Sequence, residues 1–440
     1  MDMTAVLIVM VTVFVWGAVS ARLERADLTA PIVFVTIGGL LAASDLVDGP
    51  SEPETLKPLV ELTLVWVLFS DAARVPLNEV RRDIGSYLRL LGIGLPLTLL
   101  VGWALATWLF PDLGLWLALL VAAALAPTDA ALGVPVVTNP VVPARVRRLI
   151  TVESGLNDGI ATPVVVLALA GAASAEGVAG ASDLGGAAAE LAIGAAVGAG
   201  MGVAGGWLLR QARHRRWAAE EFAGIAVLAL AVATYAGALV VGGNGFIAAF
   251  IGGLAFGSAA GRRGPAELVF LEQSSGLVSL LVWLAFGTVA LPIMLDSLDV
   301  LTVLYAMLSL TVVRMAPVAL ASLGSGLDRD TVLFVGWFGP RGLASLVFAL
   351  LALEELGPEA DEAVAVIAAT VLLSVLAHGL TAAPVAAKYG QVAAARGAGA
   401  GDHVEDLPVR GLPRAVPGTR AADHDSRLPG VHTSRTADKE

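Results

Sequence analysis

Thirteen apolar stretches, separated by short polar connections, leave this chain little choice of architecture. They run roughly over 4–20, 31–47, 59–73, 88–110, 113–133, 149–171, 187–209, 222–241, 245–260, 273–295, 300–324, 331–352 and 362–387. Most approach the roughly 20 residues that an α-helix needs to cross a bilayer; the third and ninth are short. A helix satisfies its backbone polar groups within itself, which hydrocarbon requires. A mean hydropathy of +0.81 and only 15% charged residues fit the same reading, an all-α polytopic membrane protein. The chain has no cysteine, so disulfides, thiol redox chemistry and Cys-ligated metals are excluded. Ala18-Val19-Ser20-Ala21 resembles a cleavage site, but the preceding segment carries Asp2 and no basic residue. The first stretch therefore reads as a spanning helix rather than a signal peptide.

The connections fix an orientation. Alternate loops hold Arg22 and Arg25; Arg74, Arg81 and Arg82; Arg145, Arg147 and Arg148; Arg210, Arg213, Arg215 and Arg216; Arg262 and Arg263; and Arg329. The other set has Lys57 and is otherwise acidic, with Glu52, Glu54, Glu176, Asp183, Glu354, Glu355, Glu359, Asp361 and Glu362. By the positive-inside rule the N-terminus lies outside the plasma (inner) membrane and the C-terminus in the cytoplasm, which needs an odd number of spans. The net charge of −11 is a sum of segregated acids and bases, and no nucleic-acid partner is expected. Residues 1–390 form the membrane part. Residues 391–440, rich in Ala, Gly, Arg, Asp and Pro, are expected to be a disordered cytoplasmic tail. Gly194, Gly198 and Gly202, at i,i+4 spacing, predict close helix packing.

Polar residues inside the apolar stretches carry the functional signal. A charge at bilayer depth costs about 2.5–3.5 kcal/mol on insertion scales, so it is a functional hypothesis by default. The run Thr151-Val152-Glu153-Ser154-Gly155-Leu156-Asn157-Asp158-Gly159 lies in the sixth stretch. On a helix Glu153 and Asn157 share one face, and Ser154 and Asp158 share another about 100° away. Such an oxygen-only donor set suits a hard cation such as Na+. In the fifth stretch, Pro127 of Ala126-Pro127-Thr128-Asp129 removes a backbone donor and predicts a broken helix with an acid at the break. The twelfth stretch breaks at Gly339-Pro340-Arg341-Gly342. The two breaks fall in the middle members of two three-helix groups, seven spans apart and hence oppositely inserted. That is the sequence mark of an inverted-repeat transporter with two discontinuous helices.

Arg341, at the second break, needs a partner, and Glu153 is the expected one. Arg314, in the eleventh stretch, lies at depth with no assignable partner. Asp71 and Arg74, at i,i+3, read as a local surface pair. Glu272 reads as interfacial at the start of the tenth stretch. His378, alone in the last stretch, reads as a satisfied core histidine rather than a proton relay. His214, His403, His424 and His432 show no metal-ligand spacing.

Thr128-Asp129 followed by Glu153-Ser154-x-x-Asn157-Asp158 resembles the paired signature of the monovalent cation–proton antiporters of the NhaP/sodium–hydrogen exchanger type. Gly336-Trp337-Phe338-Gly339-Pro340-Arg341-Gly342 is similar to that family's Gly-rich arginine segment, with Phe338 and Pro340 as departures. The resemblance implies an NhaA/NhaP-like fold of about thirteen helices with inverted repeats and two crossed discontinuous helices, and a homodimer. It implies a core (about 88–171 and 300–387) that moves against a dimerisation domain made by the remaining helices. It further implies a Na+ site of Asp158, Asp129, the Ser154 hydroxyl and the Thr128 carbonyl, with a buried Glu153–Arg341 pair; Asn157 and Arg314, read from their own positions at depth, are expected to support it.

The function expected is exchange of Na+ or Li+ for a proton, with no cofactor beyond the transported ions. Burial disfavours a charged carboxylate, so either a cation or a proton neutralises Asp158 and lets the site cross. Asn157 stands where electrogenic relatives carry a second acid, which implies electroneutral exchange. K+/H+ exchange and Na+-coupled solute symport on the same scaffold are the alternatives. A channel lacks an evident continuous pore, and an intramembrane aspartyl protease lacks its Gly-x-Gly-Asp motif.

Overall fold

The computed structural model describes residues 3–24, 28–44, 56–75, 83–177, 184–261 and 264–396. The described residues are helical and contain no strand. In chain order the helices are α1 (Met3–Glu24), α2 (Ala30–Ala42), α3 (Lys57–Ala73), α4 (Ile84–Leu109), α5 (Gly114–Leu125) and the short α6 (Val134–Val137). They continue with α7 (Ala144–Ala175), α8 (Leu184–His214), α9 (Glu220–Val240), α10 (Gly245–Ala260) and α11 (Gly264–Asp296). The last are α12 (Val300–Leu310), α13 (Val312–Ala321), α14 (Arg329–Trp337), α15 (Leu343–Leu356) and α16 (Asp361–Ala395). Among the described residues, the thirteen apolar stretches fall on helices or broken helices. Nine described stretches are long and apolar enough to cross a membrane, and α2 and α10 are shorter apolar helices. The protein is a multi-pass membrane protein.

Local sequence explains where helices start and stop. Asn244, Asp299 and Asp328 each accept a hydrogen bond from the backbone N–H three residues on, at 3.0, 2.7 and 2.8 Å, and so cap α10, α12 and α14. A wide π turn at Leu90–Gly94 precedes Pro96, which has no N–H to give to Gly92 one turn back. The glycine stripe of α8 packs as its spacing predicts. A Cβ at Gly194, Gly198 or Gly202 would run into the carbonyl oxygens of Asn244, Ala248 and Gly252 on α10.

Two sequence expectations change. Helix α11 begins at Gly264, so Glu272 lies inside it rather than at its start, and Glu267 falls in its first turn. They are tolerated there because Arg213 pairs with Glu267 and Arg74 reaches across from the end of α3 to Glu272. Helix α16 runs on to Ala395, past the expected end of the membrane part. The tail beyond residue 396, with Arg25, Arg81, Arg82, Arg262, Arg263, Glu52, Glu54 and Asp183, lies outside the described residues.

The largest apolar core joins α5, α7, α15 and α16 through side chains such as Leu120, Val165, Leu346, Phe348, Val364 and Ile367. Two interruptions pass through this core. Helix α5 stops at Leu125, and the chain runs non-helically through Thr128 and Asp129 before a 3-10 turn at Ala130–Gly133. Helix α14 stops at Trp337, and α15 starts at Leu343. The interruptions touch: the Asp129 N–H donates to the Pro340 carbonyl at 2.8 Å.

Candidate ion-binding site

A broken helix leaves carbonyls at one end and N–H groups at the other, and in hydrocarbon each needs a partner. The first break orphans Ala124, Ala126 and Pro127. The Ser345 hydroxyl, from α15, donates to the Ala124 carbonyl at 2.6 Å. The Arg341 Nη1 faces the carbonyls of Ala126, Pro127 and Gly339 at 3.4, 3.2 and 3.2 Å. A guanidinium thus sits at the negative end of α5, the favourable polarity for a cation. The Asp129 carboxylate does the converse. Its Oδ1 accepts the Ala131 N–H at 2.8 Å, and its Oδ2 accepts the Leu343 N–H at 3.2 Å, at the N-terminal start of α15. Gly342 makes this approach possible, because a Cβ there would collide with the Asp129 carboxylate.

The polar run of α7 faces the first break. Thr128 Oγ1 and Ser154 Oγ lie 3.0 Å apart, and the Asn157 side-chain N–H donates to Thr128 Oγ1 at 2.8 Å. Thr128, Ser154, Asn157 and Asp158 are all buried, while Asp129 is half-buried. Ser154 and Asp158 share one face of α7, as their spacing predicts, so the Thr128–Ser154 contact brings the first break to the Asp158 side of that helix. Among the described residues, no three His, Cys, Asp or Glu side chains cluster as a metal site would. The groups that meet here are the hydroxyls of Thr128 and Ser154 and the amide of Asn157.

The expected Glu153–Arg341 pair is not what forms. Glu153 pairs with Arg314: Nη2 lies 2.7 Å from Oε1 and 2.8 Å from Oε2, with both side chains 1% exposed. Arg341 is instead given to the orphan carbonyls of the break. The physical reason is position. Arg341 emerges where the carbonyls of the first break are freed, whereas Arg314, in the first turn of α13, meets the Glu153 carboxylate of α7. The two arginines remain neighbours through the second break, since a Cβ at Gly339 would lie 2.7 Å from Arg314 Nε and 2.8 Å from Thr128 Cγ2.

Sequence reasoning also missed two supporting side chains, Ser345 and Ser374, and the part that His378 plays at the second break. Ser374 Oγ accepts the Arg341 backbone N–H at 2.7 Å, and His378 Nε2 lies 2.8 Å from the Trp337 carbonyl. A polar side chain near each break was the available signal. His378 is a satisfied core histidine, as read from its isolation.

Comparison with known proteins places this geometry. The family model for the sodium/hydrogen exchanger transmembrane region matches residues 7–388. The K(+)/H(+) antiporter NhaP2 of Shewanella sp. (strain ANA-3) is 26% identical over 345 residues, covering 74% of this chain and 57% of NhaP2. The K(+)/H(+) antiporter NhaP of Alkalimonas amylolytica is 26% identical over 379 residues, covering 84% of this chain and 64% of that protein. The chain thus spans somewhat under two thirds of the length of these relatives. Among solved structures, the sodium proton antiporter MjNhaP1 of Methanocaldococcus jannaschii aligns with a TM-score of 0.69 at 20% identity, covering 88% of this chain and 99% of that one.

Proposed function

Because the chain belongs to the sodium/hydrogen exchanger family, whose members are transporters, we propose that it exchanges a monovalent cation, Na+ or Li+, for a proton across the plasma membrane. The observation that carries this reading is the contact of the first break with the acidic run of α7, through Thr128, Ser154 and Asn157. Asp158, Asp129, Ser154 and Thr128 hold the cation. Glu153, Arg314, Arg341 and Asn157 hold the frame.

The charges explain the coupling. Around the breaks stand two guanidiniums, Arg314 and Arg341, and three carboxylates, Glu153, Asp129 and Asp158. With all the carboxylates ionised the cluster carries one net negative charge. A bound Na+ cancels it, and so does a proton on Asp158. Either loaded form can cross the low-dielectric middle of the protein, while the empty form is penalised. Each ligand neutralises the same single charge, so the exchange is one for one and electroneutral. Helices α4–α7 and α12–α16 move as the core, the remaining helices forming the dimerisation domain of a homodimer, with the N-terminus outside and the C-terminus in the cytoplasm.

The test is proton flux out of proteoliposomes, read by an internal pH dye, as each cation is added outside in turn. Na+ and Li+ are expected to drive flux that is unaffected by imposed voltage, and Asp158→Asn is expected to abolish it. Surviving cation-driven flux in that variant would remove the carboxylate from the mechanism. K+ is the competing cation, because NhaP2 and NhaP are named K(+)/H(+) antiporters; flux driven by K+ alone would decide for it.

A further inference from the structure

In an unbroken helix the Trp337 carbonyl would accept the N–H of Arg341, four residues on. The second break separates them. The Arg341 N–H goes to Ser374 Oγ at 2.7 Å, and the Trp337 carbonyl meets His378 Nε2 at 2.8 Å and the Gly339 N–H at 2.8 Å. A carbonyl can only accept, so the Trp337 contact is a hydrogen bond when the imidazole carries its proton on Nε2, which leaves Nδ1 to accept from the Ser374 hydroxyl. Ser374 and His378 are one turn apart on α16 and touch each other, with His378 Nδ1 at 3.1 Å from Ser374 Oγ and 2.9 Å from the Ser374 carbonyl. Both side chains are buried, and the imidazole stacks on the Trp337 indole at 5.1 Å. The indole N–H donates in turn to Thr381 Oγ1 on the same helix, at 3.1 Å.

We infer that Ser374 and His378 are positioning residues for the ion site: together they replace one of the backbone hydrogen bonds that the second break removes, that between the Arg341 N–H and the Trp337 carbonyl, and so hold the break open. The inference rests on the exchange reading of that site. The held backbone is what Asp129 leans on, through the Pro340 carbonyl and the Leu343 N–H. Letting Arg341 N–H return to Trp337 would extend α14 by a turn and withdraw both contacts from Asp129. Losing His378 therefore weakens cation binding at a site its ring does not touch, and leaves the rate of the loaded protein largely intact.

The test compares His378→Ala, His378→Gln and Ser374→Ala with the parent protein in proteoliposomes and in amide hydrogen exchange. In His378→Ala the cation concentration for half-maximal flux is expected to rise about tenfold, with the maximal rate within about threefold, as loss of one or two buried hydrogen bonds implies. Gln, whose amide nitrogen reaches the place of Nε2, is expected to recover most of that loss. Exchange of the 338–343 amides is expected to change in His378→Ala and Ser374→Ala, and to return toward the parent in His378→Gln. An unchanged half-maximal concentration together with unchanged 338–343 exchange would overturn the proposal. So would a Gln variant no better than Ala. Should His378→Ala fail to fold, Ser374→Ala and His378→Gln carry the same comparison. Should the parent itself show no cation-driven flux, the exchange reading falls, and hydrogen exchange alone still decides the positioning claim.

Discussion

The two helix breaks solve one problem with different partners. The first, at Ala126–Asp129, has its loose carbonyls satisfied from the other broken helix, by Ser345 and Arg341. The second, at Phe338–Gly342, is satisfied from α16, an uninterrupted helix, by Ser374 and His378. The first break is thus held by the second and, through Thr128, by Ser154 and Asn157 on α7. The difference assigns roles: the second break is the fixed reference, and the first, with Thr128 and Asp129, is the part built to meet an ion. The two buried arginines divide the same way. Arg314 answers a carboxylate on α7, and Arg341 answers backbone dipoles.

Substitutions of increasing mildness probe that division. The largest effect is expected from Arg314→Ala, which leaves Glu153 buried without its cation. Removing one partner of a buried pair costs about 3–5 kcal/mol. Thermal unfolding of the detergent-purified variant should show it, and changing Glu153 to Gln in the same chain should recover much of it. Arg341→Gln takes away a guanidinium whose hydrogen bonds go to backbone carbonyls, and about 1–3 kcal/mol is expected in the same assay. If the two arginine variants were equally destabilised, the distinction between pair and dipole would fail. Ser345→Ala removes one hydrogen bond from the first break, a loss of about 1 kcal/mol, with a weaker cation response in the flux assay. Lys57→Gln is the mildest. Lys57 on α3 pairs with Glu354 on α15, yet its side chain is 47% exposed, so under about 1 kcal/mol is expected. A large loss there would mean that this contact between α3 and α15 carries far more than its exposure implies.

Much of this was legible in the residues. Pro127 and the Gly339–Gly342 run announce both breaks, since one lacks a donor and the other lacks side chains to keep a helix packed. The face pairing of Ser154 with Asp158 follows from helical spacing alone, and the glycine stripe of α8 announced its own packing. Partnership between distant segments was not legible. Glu153, Arg314 and Arg341 are three buried charges on three helices, and sequence separation carries no distance. Helix-end electrostatics was the missing guide: an arginine at the end of a broken helix already has carbonyls to face, which leaves Arg314 for Glu153. Arg74, similarly, turned to Glu272 on another helix, a contact beyond the reach of local spacing. Ser374 and His378 were legible as a polar pair at i,i+4, but not as the partners of a break on another chain segment.

Counting protons released when Na+ binds to the purified protein in weak buffer tests the central claim most directly. The account predicts that each bound cation expels one proton at a pH where Asp158 starts protonated, that added acid weakens cation binding, and that Asp158→Asn does neither. Na+ bound with no proton released at any pH would show that the two ions do not contend for one carboxylate.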